Sequence, residues 1–222
     1  MKKKIIILGS TGSIGKNTID VIRRNKTDFK IELLSTNKDI NQILKQAKEF
    51  KVKNIIINNK KKFLEAKSKI KKNKIKIYNN FECFKEIFKK KIDYTMSSIS
   101  GIEGLKPTIE IIKYTKNVAI ANKEAIICGW NLINKELKKS KTNFIPVDSE
   151  HFSIWYALKG IDKKIIDKIY LTASGGPFLN YPQKKFDKIK IGQAVKHPNW
   201  KMGKKISIDS ATMMNKIFEV IE

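Results

Sequence analysis

Short apolar runs alternate with amphipathic stretches over most of the chain. Seven of these runs have the length and flanking turn residues of β-strands: Lys4–Leu8, Ile31–Ser35, Asn54–Asn58, Lys74–Tyr78, Tyr94–Ser98, Asn117–Ala121 and Phe144–Val147. Between several of them an apolar residue returns every three or four positions, as in helices, at Ile14–Asn25, Ile40–Phe50, Phe81–Phe88 and Leu105–Tyr114. The alternation predicts an α/β fold, with a Rossmann-like, doubly wound parallel sheet over residues 1–147.

The pattern changes after Val147. We expect one more strand at Lys168–Thr172, an irregular lysine-rich and aromatic stretch, and a final helix from about Ala211. Residues 148–222 are therefore predicted to be the first part of an α+β domain. Because the final helix reaches Glu222 without the Gly or Pro signals that usually end one, we expect that domain to be incomplete.

The composition fits an ordinary globular protein, with 41% hydrophobic and 31% charged residues among 222. Apolar runs are too short for a membrane span or a secretory signal, which predicts a cytoplasmic protein. Cys83 and Cys128 lack the spacing of metal ligands, so we interpret them as packing residues.

The net charge of +26 raises the alternative of a nucleic-acid-binding module. Of the 47 basic residues, however, only Arg23 and Arg24 are arginines, and specific contacts to bases and phosphates favour arginine. The lysines are spread along the whole chain and alternate with apolar residues, as on solvated helix faces. This pattern indicates no specific nucleic-acid partner.

A glycine-rich turn, Gly9-Ser10-Thr11-Gly12-Ser13-Ile14-Gly15, joins the first predicted strand to the first helix. In that position glycines let the backbone approach a pyrophosphate, and the helix start favours the anion. The alternative is an ordinary strand-to-helix turn. The second strand ends in Asn37-Lys38-Asp39, where Lys38 could meet a 2′-phosphate, so the sequence favours NADP over NAD, although Asp39 opposes this.

Two polar clusters lie in the last third of the chain. In Asp148-Ser149-Glu150 the two carboxylates could converge on a divalent cation, or Asp148 could simply cap a helix. Later, Asn215, Lys216 and Glu219 share one helix face, with Ser210 expected near the start of that helix, which suits a phosphate. The alternative is a core helix with Met213 and Met214 facing inward.

Glycines flank the segment between these clusters. It contains Ser174, His197 and Trp200, and we interpret residues of about 174–204 as a flexible lid over a polar ligand. The alternative is that its His and Trp side chains are packing residues.

Taken in order along the chain, these motifs, together with Ala121-Asn122-Lys123-Glu124 and His197–Gly203, resemble the 1-deoxy-D-xylulose 5-phosphate reductoisomerase family. The resemblance spans all 222 residues. It implies an NADPH-dependent enzyme of the non-mevalonate isoprenoid pathway that rearranges a sugar phosphate and reduces it to 2-C-methyl-D-erythritol 4-phosphate. It also implies Mg²⁺ or Mn²⁺ as a cofactor, a homodimer for the full-length protein, and no nucleic-acid or membrane partner.

The resemblance also implies roles for individual residues. The implied NADPH-binding residues are Thr11, Gly12, Ser13, Ile14, Asn37, Lys38, Asn122, Glu124 and Gly203. The implied metal ligands are Asp148, Glu150 and Glu219. Lys123 and Glu150 are the implied catalytic residues, and both also contact substrate. The other implied substrate-binding residues are Ser149, Ser174, His197, Trp200, Ser210, Asn215, Lys216 and Glu219.

The chain departs from the family in two places. The adenosine corner reads Asn37-Lys38-Asp39 where the family commonly has Gly-Lys/Arg-Asn. Family members also continue well beyond the position of Glu222, which predicts a C-terminally truncated chain with a complete NADPH domain at 1–147 and an incomplete catalytic domain at 148–222. Three hypotheses remain: an active reductoisomerase, a remnant that binds NADPH without turnover, and a nucleic-acid-binding module.

Overall fold

A computed structural model describes residues 1–69, 75–198 and 203–222 of the chain. These residues form two compact units, Met1–Val147 and Asp148–Glu222.

The first unit is built on a parallel sheet of seven strands. The strands are β1 (Lys3–Leu8), β2 (Phe29–Thr36), β3 (Asn54–Ile57), β4 (Lys76–Tyr78), β5 (Tyr94–Ser97), β6 (Asn117–Ile120) and β7 (Asn143–Pro146). Their order across the sheet is β4-β3-β2-β1-β5-β6-β7. The order reverses beside β1, which pairs with β2 on one side and with β5 on the other. The carboxyl edge between β1 and β5 is the position where folds of this kind bind ligands.

Helices follow most strands of this unit. They are α1 (Ser13–Arg24), α2 (Ile40–Glu49), α3 (Lys60–Lys69), α4 (Phe84–Ile87), α5 (Leu105–Ile112) and α6 (Lys123–Ser140). Short 3-10 turns at Phe81–Cys83 and Ile102–Gly104 precede α4 and α5.

Both faces of the sheet are buried. Successive residues of β1 alternate between two apolar clusters, because neighbouring side chains of a strand point to opposite faces. Ile7 packs with Leu34 and α2 on one face, whereas Ile6 packs with Leu33 and the aromatic residues around α4 on the other. Continuous apolar strands covered on both faces are typical of parallel sheets, and the predicted α/β fold is confirmed.

The second unit consists of helices and 3-10 turns among its described residues. Its helices are α7 (Ser149–Ala157), α8 (Ile191–Ala194), α9 (Lys204–Ala211) and α10 (Met214–Ile221). The 3-10 turns are Lys163–Ile165, Gly176–Phe178 and Gln183–Lys188.

Two predictions for this unit are wrong. Residues Lys168–Thr172 form no strand, because no described segment of the unit supplies a partner for their backbone groups, and Ile169 and Tyr170 are largely exposed. The final helix begins at Met214 rather than near Ala211, since α9 occupies Lys204–Ala211 and Met213 between the two helices is left-handed. In the part of the chain that the structure describes, every helix is too short or too polar to cross a lipid bilayer.

Candidate functional site

The turn after β1 is shaped by glycines that have no room for side chains. Gly9 has a positive φ of 81°, and a Cβ there would lie 2.7 Å from the carbonyl oxygen of Ser98. A Cβ on Gly15 would lie 2.2 Å from the Gly9 carbonyl oxygen. The N-cap Gly12 offers no side chain to the first amides of α1, and Gly12, Ser13 and Ile14 are exposed. Amides at a helix start that no cap engages suit an anion such as a pyrophosphate.

The adenosine corner lies next to this turn. The Thr11 and Thr36 hydroxyls are 2.7 Å apart, which joins the turn to the end of β2. Asn37, Lys38 and Asp39 follow and are exposed. The Asp39 carboxylate accepts a hydrogen bond from the Gln42 amide at 3.0 Å and caps α2. Asp39 therefore stabilises the start of α2, and the charged side chain of Lys38 next to it in the sequence is exposed to solvent.

Asn122 closes the same edge of the sheet at the start of α6. Its Oδ1 accepts from the Ala125 amide at 3.1 Å, and its Nδ2 donates to the carbonyls of Ile99 and Gly101, each at 2.6 Å. The side chain is buried and its hydrogen-bonding groups are used within the protein. Lys123 and Glu124 form the first turn of α6 directly after it. The structure thus brings together the predicted dinucleotide residues that belong to the first unit.

Three acidic side chains converge in the second unit. Asp148, Glu150 and Glu219 each place a carboxylate oxygen within 4.8 Å of the others, although Glu219 lies 69 positions after Glu150 in the sequence. Asp148 is the N-cap of α7 and accepts a hydrogen bond from the His151 amide at 2.8 Å. The helix-cap interpretation of Asp148 is therefore correct, and the carboxylate also belongs to a group with the composition of a metal site. The Glu219 side chain is fully buried.

Lys216 supplies a positive charge to this cluster. Its ammonium group contacts the Glu219 carboxylate and the Thr172 carbonyl, and lies 3.5 Å from a Glu150 oxygen. Burial lowers the pKa of Lys216, but the hydrogen bonds and charges of Glu219 and Glu150 outweigh burial, so the pKa is raised overall. Asn215 donates to Glu219 at 2.6 Å. Lys216 balances one of the three carboxylate charges of this cluster, and a divalent cation would balance the other two.

The remaining predicted residues of the second unit lie in several places. Ser149 donates to Glu150 at 2.8 Å, and the Ser174 hydroxyl lies 3.0 Å from Nε2 of His197. Gly203 is the N-cap of α9. Trp200, predicted to be part of the lid, falls outside the described residues.

One expectation about the third cluster, and one feature of the alternative to it, are wrong. Ser210 lies in the last turn of α9, not near the start of the final helix, because an extra helix occupies this segment. Met213 and Met214 do not face inward; they are 40% and 39% exposed, respectively, because Met213 caps α10 and Met214 begins it.

Two further polar residues support these sites, although no role was predicted for them from the sequence. Gln46 is buried on the apolar side of α2 and bonds to the glycine turn, and its signal was a polar residue at a core position of the helical pattern. His151 places Nδ1 2.8 Å from an Asp148 oxygen. Its signal was its position three residues after a helix cap.

Comparison with known proteins identifies the family. The family model described as 1-deoxy-D-xylulose 5-phosphate reductoisomerase matches residues 5–129, and the model of its C-terminal domain matches residues 144–222. The chain belongs to the 1-deoxy-D-xylulose 5-phosphate reductoisomerase family. The family resemblance inferred from the motifs is confirmed.

Named relatives agree over almost the whole chain. The chain is 58% identical to 1-deoxy-D-xylulose 5-phosphate reductoisomerase of Pelagibacter ubique (strain HTCC1062), covering 99% of this chain and 57% of that protein. It is 44% identical to the protein of the same name from Caldanaerobacter subterraneus subsp. tengcongensis, with the same coverage of both chains. The chain therefore spans little more than half the length of these relatives.

Solved structures of the family share the fold. The reductoisomerase from Zymomonas mobilis, in complex with NADPH, superposes with a TM-score of 0.87 at 32% identity and covers 100% of this chain and 57% of that one. A DOX-P reductoisomerase in complex with NADPH, fosmidomycin and magnesium gives a TM-score of 0.89 at 34% identity, covering 99% and 57%.

Proposed function

We propose that the protein carries out the NADPH-dependent and divalent-metal-dependent conversion of 1-deoxy-D-xylulose 5-phosphate to 2-C-methyl-D-erythritol 4-phosphate, in non-mevalonate isoprenoid biosynthesis. The observation that carries the proposal is the convergence of Asp148, Glu150 and Glu219 in a chain of this family. Solved relatives in complex with NADPH and with magnesium support both cofactors.

The acidic cluster fits a divalent cation. Mg²⁺ and Mn²⁺ prefer oxygen ligands, and the three carboxylates provide them within 4.8 Å of one another. Burying such a group is costly without compensating positive charge, and a divalent cation would add to the charge that Lys216 supplies. We therefore assign Asp148, Glu150 and Glu219 as the metal ligands.

The glycine turn fits the pyrophosphate of NADPH. A side chain at Gly9 or Gly15 would collide with neighbouring backbone atoms. The backbone of the turn is therefore tightly packed, as in turns that bind phosphate through their amides. We assign Thr11, Gly12, Ser13 and Ile14 to this part of the nucleotide. Asn37 and Lys38 are assigned to the adenosine end, and Asn122, Glu124 and Gly203 complete the set.

A divalent cation held by Asp148, Glu150 and Glu219 would supply Lewis-acid catalysis to the substrate. The protein's residues orient the substrate around that chemistry. Lys216 and Asn215, together with Ser174 and Ser210, bind the phosphate group through ammonium, amide and hydroxyl donors. Lys123, Ser149, His197 and Trp200 contact the rest of the substrate, and Glu150 holds or moves a proton beside the reacting carbons. The segment of about 174–204 excludes water as a lid.

The test is NADPH oxidation by the purified chain, followed at saturating substrate with Mg²⁺ or Mn²⁺. We expect turnover that needs both substrate and metal and disappears in Asp148→Asn. NADPH binding without turnover in the wild-type chain would contradict the proposed activity and favour the remnant hypothesis. Strongly salt-dependent binding of DNA or RNA, with no NADPH binding, would favour the nucleic-acid alternative.

A further inference from the structure

A buried polar pair connects the glycine turn to helix α2. The Ser10 hydroxyl donates to Oε1 of Gln46 at 2.8 Å, and Nε2 of Gln46 donates back to the Ser10 carbonyl at 2.9 Å. Ser10 is 0% exposed and Gln46 is 1% exposed. Gln46 lies on the side of α2 that also carries the buried Ile43 and Ala47, so it occupies a core position.

A primary amide at such a position is costly unless its hydrogen bonds are made. Here one glutamine binds both the side chain and the carbonyl of a single residue of the turn. The Ser10 amide is also fixed, since it donates to the Ser35 carbonyl at 2.9 Å. The peptide groups on either side of Ser10 are thereby held from α2 and from β2.

The residues held in this way lead directly into the phosphate-binding part of the turn. Ser10 stands between Gly9, whose positive φ sets the bend, and the segment Thr11–Ile14. The Gly12 amide donates to the Gly9 carbonyl at 3.1 Å, so the position of Gly9 and Ser10 sets where α1 begins. Affinity for a phosphate is higher when the backbone amides that donate to it are already fixed before the ligand binds.

We propose that Gln46 is a positioning residue for dinucleotide binding, acting through Ser10 on the pyrophosphate turn without touching the ligand. This inference rests on the proposed NADPH-binding function. The adenosine corner is held by other hydrogen bonds than those of Gln46: the Asp39 carboxylate accepts from the Gln42 amide, and the Thr36 hydroxyl lies 2.7 Å from that of Thr11. The inference therefore predicts that loss of Gln46 weakens binding of the pyrophosphate of the ligand and leaves binding of its 2′-phosphoadenosine end unchanged.

The test compares Gln46→Met with Gln42→Met in equilibrium binding of NADPH and of adenosine 2′-monophosphate. Methionine has nearly the shape of glutamine but makes neither hydrogen bond. Gln42 is a matched control, as it lies on the same helix, is only half-buried, and contributes its backbone amide to the cap. For Gln46→Met we expect an NADPH Kd raised about tenfold, as for the loss of buried hydrogen bonds, with the Kd for the adenosine phosphate unchanged. Gln42→Met should bind both ligands like the wild type.

Ser10→Ala provides a second variant in case Gln46→Met does not fold. It removes the hydrogen bond to Gln46 and a longer contact of the same hydroxyl, at 3.3 Å, with the Ser35 carbonyl, to which the Ser10 amide still donates. Its NADPH Kd should rise about threefold, again without effect on adenosine 2′-monophosphate. The double variant should weaken NADPH binding by less than the product of the two single effects, because both changes remove the same hydrogen bond between Ser10 and Gln46. An unchanged NADPH Kd in Gln46→Met, or equal weakening of both ligands, would overturn the inference. Failure of the wild-type protein to bind NADPH would instead overturn the proposed function, and this inference with it.

Discussion

Asp148 combines a structural task with a proposed chemical one, and two substitutions separate them. Its Oδ1 accepts hydrogen bonds from the backbone amide and from Nδ1 of His151, each at 2.8 Å. Its carboxylate also belongs to the group within 4.8 Å of Glu150 and Glu219. Asparagine keeps an acceptor for the helix cap but carries no charge, whereas alanine removes both.

The size of each effect follows from the geometry. Asparagine caps a helix about as well as aspartate, and replacement of a capping residue by alanine costs about 1 kcal/mol. The carboxylate oxygens of the group lie within 4.8 Å of one another. If that separation is taken for a divalent cation and a unit negative charge, they would attract each other by about 1.7 kcal/mol even in bulk water, equivalent to nearly 20-fold in affinity. A carboxylate that ligates the ion directly is closer than this, so the value is a lower bound.

We therefore expect Asp148→Asn to unfold at nearly the wild-type temperature without metal and to bind Mn²⁺ at least 20-fold more weakly. Asp148→Ala should lose affinity to the same extent and also unfold at a lower temperature. Thermal unfolding followed by circular dichroism, without and with Mn²⁺, measures stability, and electron paramagnetic resonance of free Mn²⁺ gives the Kd.

The two variants allow the two parts of the argument to fail independently. Wild-type Mn²⁺ affinity in Asp148→Asn would refute the assignment of Asp148 as a metal ligand. Equal destabilisation of Asp148→Asn and Asp148→Ala in the absence of metal would refute the capping role of Asp148. The Mn²⁺ Kd values would still test its assignment as a metal ligand.

Three further predictions concern the first unit. Gly15→Ala should lower the unfolding free energy of the protein, measured in urea, by about 1–3 kcal/mol, because the new Cβ overlaps the Gly9 carbonyl. Gly12→Ala is the control, because its Cβ would make an ordinary 3.4 Å contact. Equal stability of the two variants would contradict this reasoning. A hydrogen bond from Lys116, with one from the Lys4 amide, lowers the pKa of Asp93. Its stabilisation is therefore present above the unfolded pKa of about 3.9 and is lost as pH falls through the lower folded pKa, so urea titrations of Asp93→Asn should show a weaker pH dependence below pH 4 than those of the wild type. Burial raises the pKa of Cys83 to about 12, whereas Cys128 is exposed; a thiol reagent at pH 8 should modify one cysteine of the native protein, and rapid modification of both would contradict the buried environment of Cys83.

The sheet was predictable because its signal is local and repeated. Each strand of the first unit is an apolar run between turn residues, and a parallel sheet covered on both faces needs such runs. The glycine turn was predictable as a turn, because its glycines stand directly between an apolar run and a helical pattern, although the sequence left its ligand open. The chain order of βαβ units then constrains the topology to few solutions.

The second unit was predicted less well because its structure depends on contacts that no local pattern records. The segment Lys168–Thr172 has the composition of a strand, but a strand needs a partner, and none of the described segments pairs with it. The break between α9 and α10 depends on the left-handed backbone of Met213, a conformation that is uncommon for methionine and carries no sequence signal. Ser210 was consequently expected at the start of a helix and lies at the end of one.

The ambiguity between cap and ligand recurs at three places where a strand leads into a helix of this protein. Asp39, Asn122 and Asp148 each cap the helix that follows a strand, and each lies in a segment that the motifs also marked as a binding site. The overlap has a physical cause, because exposed helix amides and bound ligands are both satisfied by short oxygen-bearing side chains. A sequence pattern alone does not separate the two roles. Three-dimensional structure separates them by the remaining atoms: Asn122 uses its amide nitrogen on backbone carbonyls, whereas Asp148 brings a carboxylate to Glu150 and Glu219. Capping thus fixes the side chain of Asp148 at the start of α7, and the charge that a cap does not require is the part available for a cation.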